Sequence, residues 1–342
     1  MACTYLLVIV AFFMAFIALC YANVPHFVLP VHTDVQQSGQ KLQQAFQDAV
    51  MLARVAAVTF DPCEEVFLRY FTAEEADFVK HAFRTMANIP LDQVIDEKTI
   101  FGFLANPTAA QNLPPKFADL DIAWDDHPDV PEMDRLCGHV SESGSMLDAY
   151  TYLDVDELEI SDQASQIALV SLCEELFQFP SLQEIEDPPY VPWARDGQGR
   201  PLPGFTCDGL GATDSDWMAS PGATLLHELM HWSYLLEDMP GFSELIDKDE
   251  AGLPQIRDHS DLSSDPPDGM GAFHAKLLKD RGPFAAIQNA DNYRWYTLSK
   301  YWSWKCGRGF AEAMSDQDVY KRGPKVVLGE PEAAGEQTGG QW

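Results

Sequence analysis

His227 and His231 lie four residues apart with Glu228 directly after the first, in the string His227-Glu228-Leu229-Met230-His231. On a helix, positions i and i+4 share a face, so both imidazoles can reach one metal ion. Glu228 then sits on the adjacent flank, free to take a proton from a water that the metal polarises. That is the arrangement by which a zinc hydrolase makes water nucleophilic. Two histidines do not complete a catalytic zinc site; a third protein ligand is needed, with water in the fourth position. The stretch from Glu237 to Asp268 is crowded with carboxylates, and His259 and His274 add nitrogen donors. Residue type alone does not choose among them.

The elements that must position these groups are legible around them. Ser220 is a good helix N-cap and Pro221 suits the first helical position. Leu225, Leu226, Leu229, Met230, Leu235 and Leu236 supply an apolar face, and Pro240-Gly241 is the expected stop. Upstream, apolar residues from Ser38 to about Val58 recur at helical spacing, and a second helix starts at Thr72 with a capping box closed by Glu75. Neither carries an evident reactive group, so both read as scaffold. The Pro- and Asp-rich stretch from Asn106 to Met133 reads as loop. Its Asp119, Asp121, Asp125 and Asp126 match no calcium-loop spacing and are expected to be a solvated acidic surface. Two runs, Ala149 to Leu153 and Ile167 to Leu172, have strand character and fit a small sheet laid against the His227 helix. In zinc peptidases generally, an edge strand preceding that helix is the platform to which an extended peptide adds its backbone hydrogen bonds.

Composition bounds the class. Residues 1–22 contain a charge-free apolar run from Tyr5 to Leu19, ending in Cys20-Tyr21-Ala22 with small residues at the −3 and −1 positions, as a secretory signal peptide does. With 46% hydrophobic residues the chain has material for a core. A net charge of −31 repels nucleic acid and anionic membrane surfaces. Once Cys3 and Cys20 leave with the leader, Cys63, Cys137, Cys173, Cys207 and Cys306 remain, consistent with two disulfides and one thiol. Their spacing does not decide which four pair. No Asn-x-Ser/Thr acceptor is present, since Asn106 precedes Pro107.

Beyond the His227 helix the chain runs through Gln255-Ile256-Arg257-Asp258-His259, Gly269-Met270-Gly271-Ala272 and Asn289-Ala290-Asp291-Asn292-Tyr293, with Trp295-Tyr296 and Tyr301-Trp302 trailing. In that order, over roughly Cys137 to Trp304, the set resembles the fungal deuterolysin and peptidyl-Lys metalloendopeptidase group, the aspzincins. The resemblance implies an aspartate as third zinc ligand, and Ile256-Arg257-Asp258 looks most like the family's element, which makes Asp258 the choice. Asp268 is the next candidate. The chain departs from the family in two places. Met270 stands where the family has a tyrosine thought to stabilise the transition state. Asp291 matches an acid of the lysine-specific members' pocket, yet the acid expected three positions later is Arg294, whose charge would repel lysine. Lysine specificity is therefore not carried over, and Asp291 reads equally well as a helix N-terminal acid. A rival third ligand is Glu312 in Glu312-Ala313-Met314-Ser315-Asp316, the E-x-x-x-D form of thermolysin-like enzymes, though it follows far behind His231.

Together these readings give an α+β, zincin-like fold, mainly helical, with a small mixed sheet against the His227 helix. The expected organisation is a signal peptide over 1–22, an N-terminal helical part or pro-segment over 23–136, a catalytic region over 137–322 and a disordered tail over 323–342. The expected function is that of a secreted, monomeric zinc endopeptidase. It would use Zn2+ on His227, His231 and Asp258, Glu228 as general base, with Tyr293 of the Asn-Ala-Asp-x-Tyr motif assisting at the oxyanion, and a protein or peptide substrate. It would engage neither nucleic acid nor, after leader removal, membrane. The competing class is a secreted zincin-like binding protein that keeps the metal without catalysis, as the Met270 departure would suit.

Overall fold

A computed structural model describes residues 23–29, 35–139, 147–153, 167–249, 252–259 and 269–314. The expected leader over 1–22, the expected tail over 323–342, Asp268 and Asp316 lie outside the described residues. The chain is mixed α and β, dominated by helices, with one four-stranded mixed sheet among the described residues.

Helix α1 (Val35–Val58), the longest among the described residues, is enclosed on nearly every side from Asp48 onward. Its Ala- and Val-rich second half lets neighbouring helices approach closely. The one cation there, Arg54, donates through its terminal nitrogens to the carbonyls of Ala87 and Asn112, each at 2.9 Å, and to that of Phe103. Two further helices, α2 (Glu65–Tyr70) and α3 (Ala76–Met86), follow, with the Thr72–Glu75 capping box present ahead of α3 as its sequence predicts. Helix α4 (Glu97–Leu104) is capped by Asp96 and lies at the surface.

The sheet runs in the order β1 (His26–Val28), β2 (Leu120–Trp124), β4 (Ala168–Leu172), β3 (Ala149–Leu153). β1, β2 and β4 are mutually parallel, while β3 pairs antiparallel with β4, Thr151 opposite Val170, and is the outermost strand among the described residues. Strands β3 and β4 fall where the sequence places them. Strand β2 does not: it lies inside the stretch read as loop. Every residue of Leu120–Trp124 except Asp121 is buried, so the strand lacks the alternation that marks a half-exposed strand, and its Pro- and Asp-rich flanks mask it.

After the short helices α5 (Leu182–Glu186) and α6 (Thr206–Gly209) comes α7 (Pro221–Met230), which carries His227 and Glu228. Ser220 caps it as expected, accepting the Ala223 N–H. Its first turn crosses α1 at Gly222, where a Cβ would stand 2.2 Å from the Asp48 Cβ and 2.7 Å from the Ala45 carbonyl oxygen. Only glycine permits that contact. The helix was expected to continue to Pro240-Gly241; instead it closes at Met230 with His231 as its C-cap. The chain turns at Trp232, whose indole is fully buried and stacks with Phe117, and resumes as α8 (Ser233–Leu236) and α9 (Phe242–Leu245). Burying that indole decides the break over the continuous apolar pattern.

Helices α10 (Gly271–Leu278) and α11 (Ala290–Cys306) complete the fold, and one core joins residues of α1, α3, α7 and α11. Disulfides join Cys137 to Cys173 and Cys207 to Cys306, leaving Cys63 as an exposed thiol, which agrees with the expected count and supplies the pairing. No helix of the described residues is long and apolar enough to cross a membrane.

Candidate metal centre

The last turn of α7 presents His227 and His231 side by side, their Nε2 atoms 3.3 Å apart. From the opposite side the 252–259 segment brings in Asp258. Its Oδ1 lies 3.0 Å from His227 Nε2 and its Oδ2 3.7 Å from His231 Nε2. Donors bound tetrahedrally at about 2.0–2.2 Å from one zinc ion stand roughly 3.2–3.6 Å from each other, so this trio has the spacing and the N, N, O chemistry of a zinc site. His227 is buried, whereas the Asp258 side chain is 41% exposed, so the trio opens toward solvent on the aspartate side.

Both imidazoles are oriented from behind. His231 Nδ1 donates to the Ile256 carbonyl at 2.9 Å, and His227 Nδ1 faces Asp291 Oδ1 at 3.2 Å. With a proton held on each Nδ1, each Nε2 directs its lone pair at the shared position once it carries no proton of its own. The segment that supplies Asp258 thus also supplies the acceptor for His231, two residues earlier.

The Asn289–Tyr293 motif explains how that segment is held. The Arg257 N–H donates to the Gln288 carbonyl, and the Ala290 N–H to the Arg257 carbonyl, docking the strand-like segment against the start of α11. Asn289, fully buried, accepts the His259 N–H through Oδ1 and donates through Nδ2 to the Gly269 carbonyl and to Asn292 Oδ1. It therefore grips the chain on both sides of the undescribed 260–268 stretch. At Gly269 a Cβ would come within 2.7 Å of the Asn289 amide nitrogen, so the grip requires glycine. Asn292 in turn donates to the Tyr70 and Ala275 carbonyls, tying α11 to α2 and α10.

Electrostatics follow the geometry. Burial alone would lower the pKa of His227, but the adjacent Asp258 carboxylate, with Asp291 and Glu228, outweighs it and raises the value to about 10 in the metal-free protein. Burial opposes the charge on Asp258 too, yet His227, His231 and Arg294 hold its pKa down to about 2. Asp291, also fully buried, is kept ionised below the usual carboxylate range by Arg294, by His227 and by the Gly271 N–H.

Glu228 is buried beside the trio, its carboxylate within 4.8 Å of the imidazole nitrogens. Its Oε2 accepts a hydrogen bond from Thr151 Oγ1 at 2.9 Å.

Two other candidates, Glu312 and Tyr293, fall elsewhere. Glu312 pairs with Lys276 at 3.1 Å on the surface. Tyr293 is fully enclosed by Phe71 and Phe83 and donates its hydroxyl to the Ile287 carbonyl at 3.0 Å, so it does not face the trio and cannot assist there. Asp291 has both oxygens engaged, Oδ1 by His227 and Arg294 and Oδ2 by Trp295 Nε1 and Gly271. It serves His227 in this structure rather than lining a lysine pocket. Position 270 carries a partly exposed methionine at the N-cap of α10 and offers no hydroxyl. Two contributors escaped the sequence reading, Asp291 as the partner of His227 and Thr151 as the partner of Glu228. The Asn-Ala-Asp string marked the first place without its role, and nothing local marked the second.

Compared with known proteins, the chain matches no family model, no curated protein and no solved structure.

Proposed function

We propose that this chain is a secreted zinc endopeptidase of zincin type, akin to the aspzincins, with His227, His231 and Asp258 as metal ligands and Glu228 as general base. The observation that carries the reading is the convergence of two Nε2 atoms and one carboxylate at ligand spacing, with the Glu228 carboxylate within 4.8 Å of the imidazole nitrogens on the same helix turn.

Zinc, when bound, supplies Lewis acidity that polarises a peptide carbonyl and makes a water more acidic. Glu228 accepts the proton of the attacking water and returns it to the leaving amine, so that hydroxyl ends on the acyl fragment and hydrogen on the amine. Asp258 contributes the negative charge of the ligand set, while Asp291 and the Ile256 carbonyl keep both imidazoles in the ligating tautomer. Strand β3, outermost in the sheet among the described residues, lies beside α7 and would align an extended peptide there. The leader-like first 22 residues and two disulfides support secretion. The charge of −31 favours a protein or peptide substrate over nucleic acid.

The test is cleavage of an unfolded protein by zinc-loaded protein and by its Glu228→Gln variant. The variant keeps zinc and fold and loses about 10²-fold or more of the rate. A wild-type protein with one zinc per chain that cleaves nothing in a broad peptide library from acid to neutral pH would replace this reading with the secreted binding protein.

A further inference from the structure

Thr151 is the middle residue of the edge strand β3, and it reaches across to α7. Its Oγ1 stands 2.9 Å from Glu228 Oε2 and 3.0 Å from the Glu228 backbone oxygen. Strand alternation explains the direction. Tyr150 and Tyr152 pack on the other face with Val130 and Leu169, which turns Thr151 toward the helix. The early end of α7 explains the opening. In a continuing helix the Glu228 carbonyl would accept the Trp232 N–H, but the chain turns there: Trp232 bonds to Leu229, and the Glu228 carbonyl takes the His231 N–H at 3.1 Å and keeps a second lone pair for Thr151. The hydroxyl therefore lies within hydrogen-bond distance of the backbone oxygen and one carboxylate oxygen of the same residue.

We propose that Thr151 is a positioning residue for the general base. It fixes the Glu228 carboxylate through Oε2 and leaves the second oxygen as the proton acceptor; this rests on the endopeptidase reading of the same site. A glutamate side chain has three rotatable bonds, and without a partner its carboxylate would sample several rotamers beside the metal position. A misplacement of about 1 Å in a reacting group can cost 10²-fold in rate. Threonine suits the task because its branched Cβ restricts χ1 on a strand, so the hydroxyl is itself held in place. The strand that aligns a substrate backbone in the proposed reaction then also aims the base.

The experiment compares zinc-loaded wild type with Thr151→Val, which keeps the shape and removes the hydroxyl, and Thr151→Ser, which restores it. Thr151→Val should lower kcat about tenfold, the worth of one hydrogen bond, with KM within about twofold and zinc content unchanged. Thr151→Ser should recover most of the loss. In a Glu228→Gln background, Thr151→Val should cause no further loss, since there is no base left to aim. Wild-type kcat in Thr151→Val, or an undiminished loss in the Glu228→Gln background, would overturn the proposal. A second readout needs no activity. In crystals of the zinc-loaded proteins, the Glu228 carboxylate should leave its wild-type position in Thr151→Val. If it stays, the proposal fails even if the wild type cleaves; if it moves in a protein that cleaves nothing, positioning stands and the peptidase reading alone falls.

Discussion

Asp291 and His227 lie 64 residues apart in sequence, and their side chains meet at 3.2 Å between Oδ1 and Nδ1 inside the core. The contact joins the first turn of α11 to the last turn of α7 and decides which nitrogen of His227 is free for a metal. Arg294, one turn along α11, stands 3.4 Å from the same Asp291 oxygen and balances its charge. The cation that departs from the lysine-specific pattern thus has a structural task behind the histidine.

Asp291→Asn should preserve the fold and weaken zinc binding about 10- to 100-fold, because an amide no longer favours the Nδ1–H tautomer as a carboxylate does. Competition with a chromophoric chelator measures this directly. An unchanged affinity would mean that the Ile256 and Asp258 contacts hold the pair of imidazoles without help from α11.

Removal of the proposed oxygen ligand should do more. Asp258→Ala takes away a donor 3.0 Å from His227 Nε2 and should weaken zinc by a larger factor than the loss of an orienting group does. Glu312→Ala removes only a surface partner of Lys276 and should leave zinc stoichiometry at wild-type level. Zinc lost in the second variant and kept in the first would reverse the assignment.

Local signals were the readable ones. The Ser220 cap, the Thr72–Glu75 box and the strands β3 and β4 depend on residues a few positions apart, and each sits where sequence places it. Strand β2 was hidden because both of its faces are covered, which erases alternation, and because Asp121 interrupts the apolar run. The turn at Trp232 was hidden because it is set by where an indole finds a cavity, next to Phe117 of a distant segment. The site divides in the same way. His227, Glu228 and His231 share one helix turn and announce themselves, whereas Asp291 and Thr151 reach them through contacts spanning 64 and 77 residues.

Zinc affinity should depend on pH in a set direction. In the metal-free protein the His227 pKa is raised to about 10, so near neutrality the ring is protonated and must release a proton before its Nε2 can bind a metal. Affinity should therefore rise by about tenfold per pH unit between roughly pH 7.5 and 9 and flatten above about pH 10. Calorimetry in buffers of different ionisation enthalpy should show about one proton released per zinc at pH 8. Uptake without proton release would show that His227 is already neutral before the metal arrives.

The scaffold has its own pH signature at Asp48, where α1 crosses the His227 helix. Burial raises the pKa of this carboxyl to about 7, offset in part by the Leu182 N–H and the Gln44 amide and reinforced by Glu184. The folded value lies above the unfolded one, near 3.8, so the neutral carboxyl is the favoured native form. Its contribution to stability is complete below about pH 3.8 and is lost as pH rises through about 7, a difference on the order of 4 kcal/mol. Asp48→Asn mimics the neutral form: its oxygen can accept the Leu182 N–H while its amino group donates to a Gln44 amide turned end for end. Denaturant unfolding at a series of pH values should show the variant gaining on the wild type between about pH 4 and 7, with little difference at the acid end. Parallel curves for the two proteins across that range would mean that Asp48 stays ionised where it packs against Gly222.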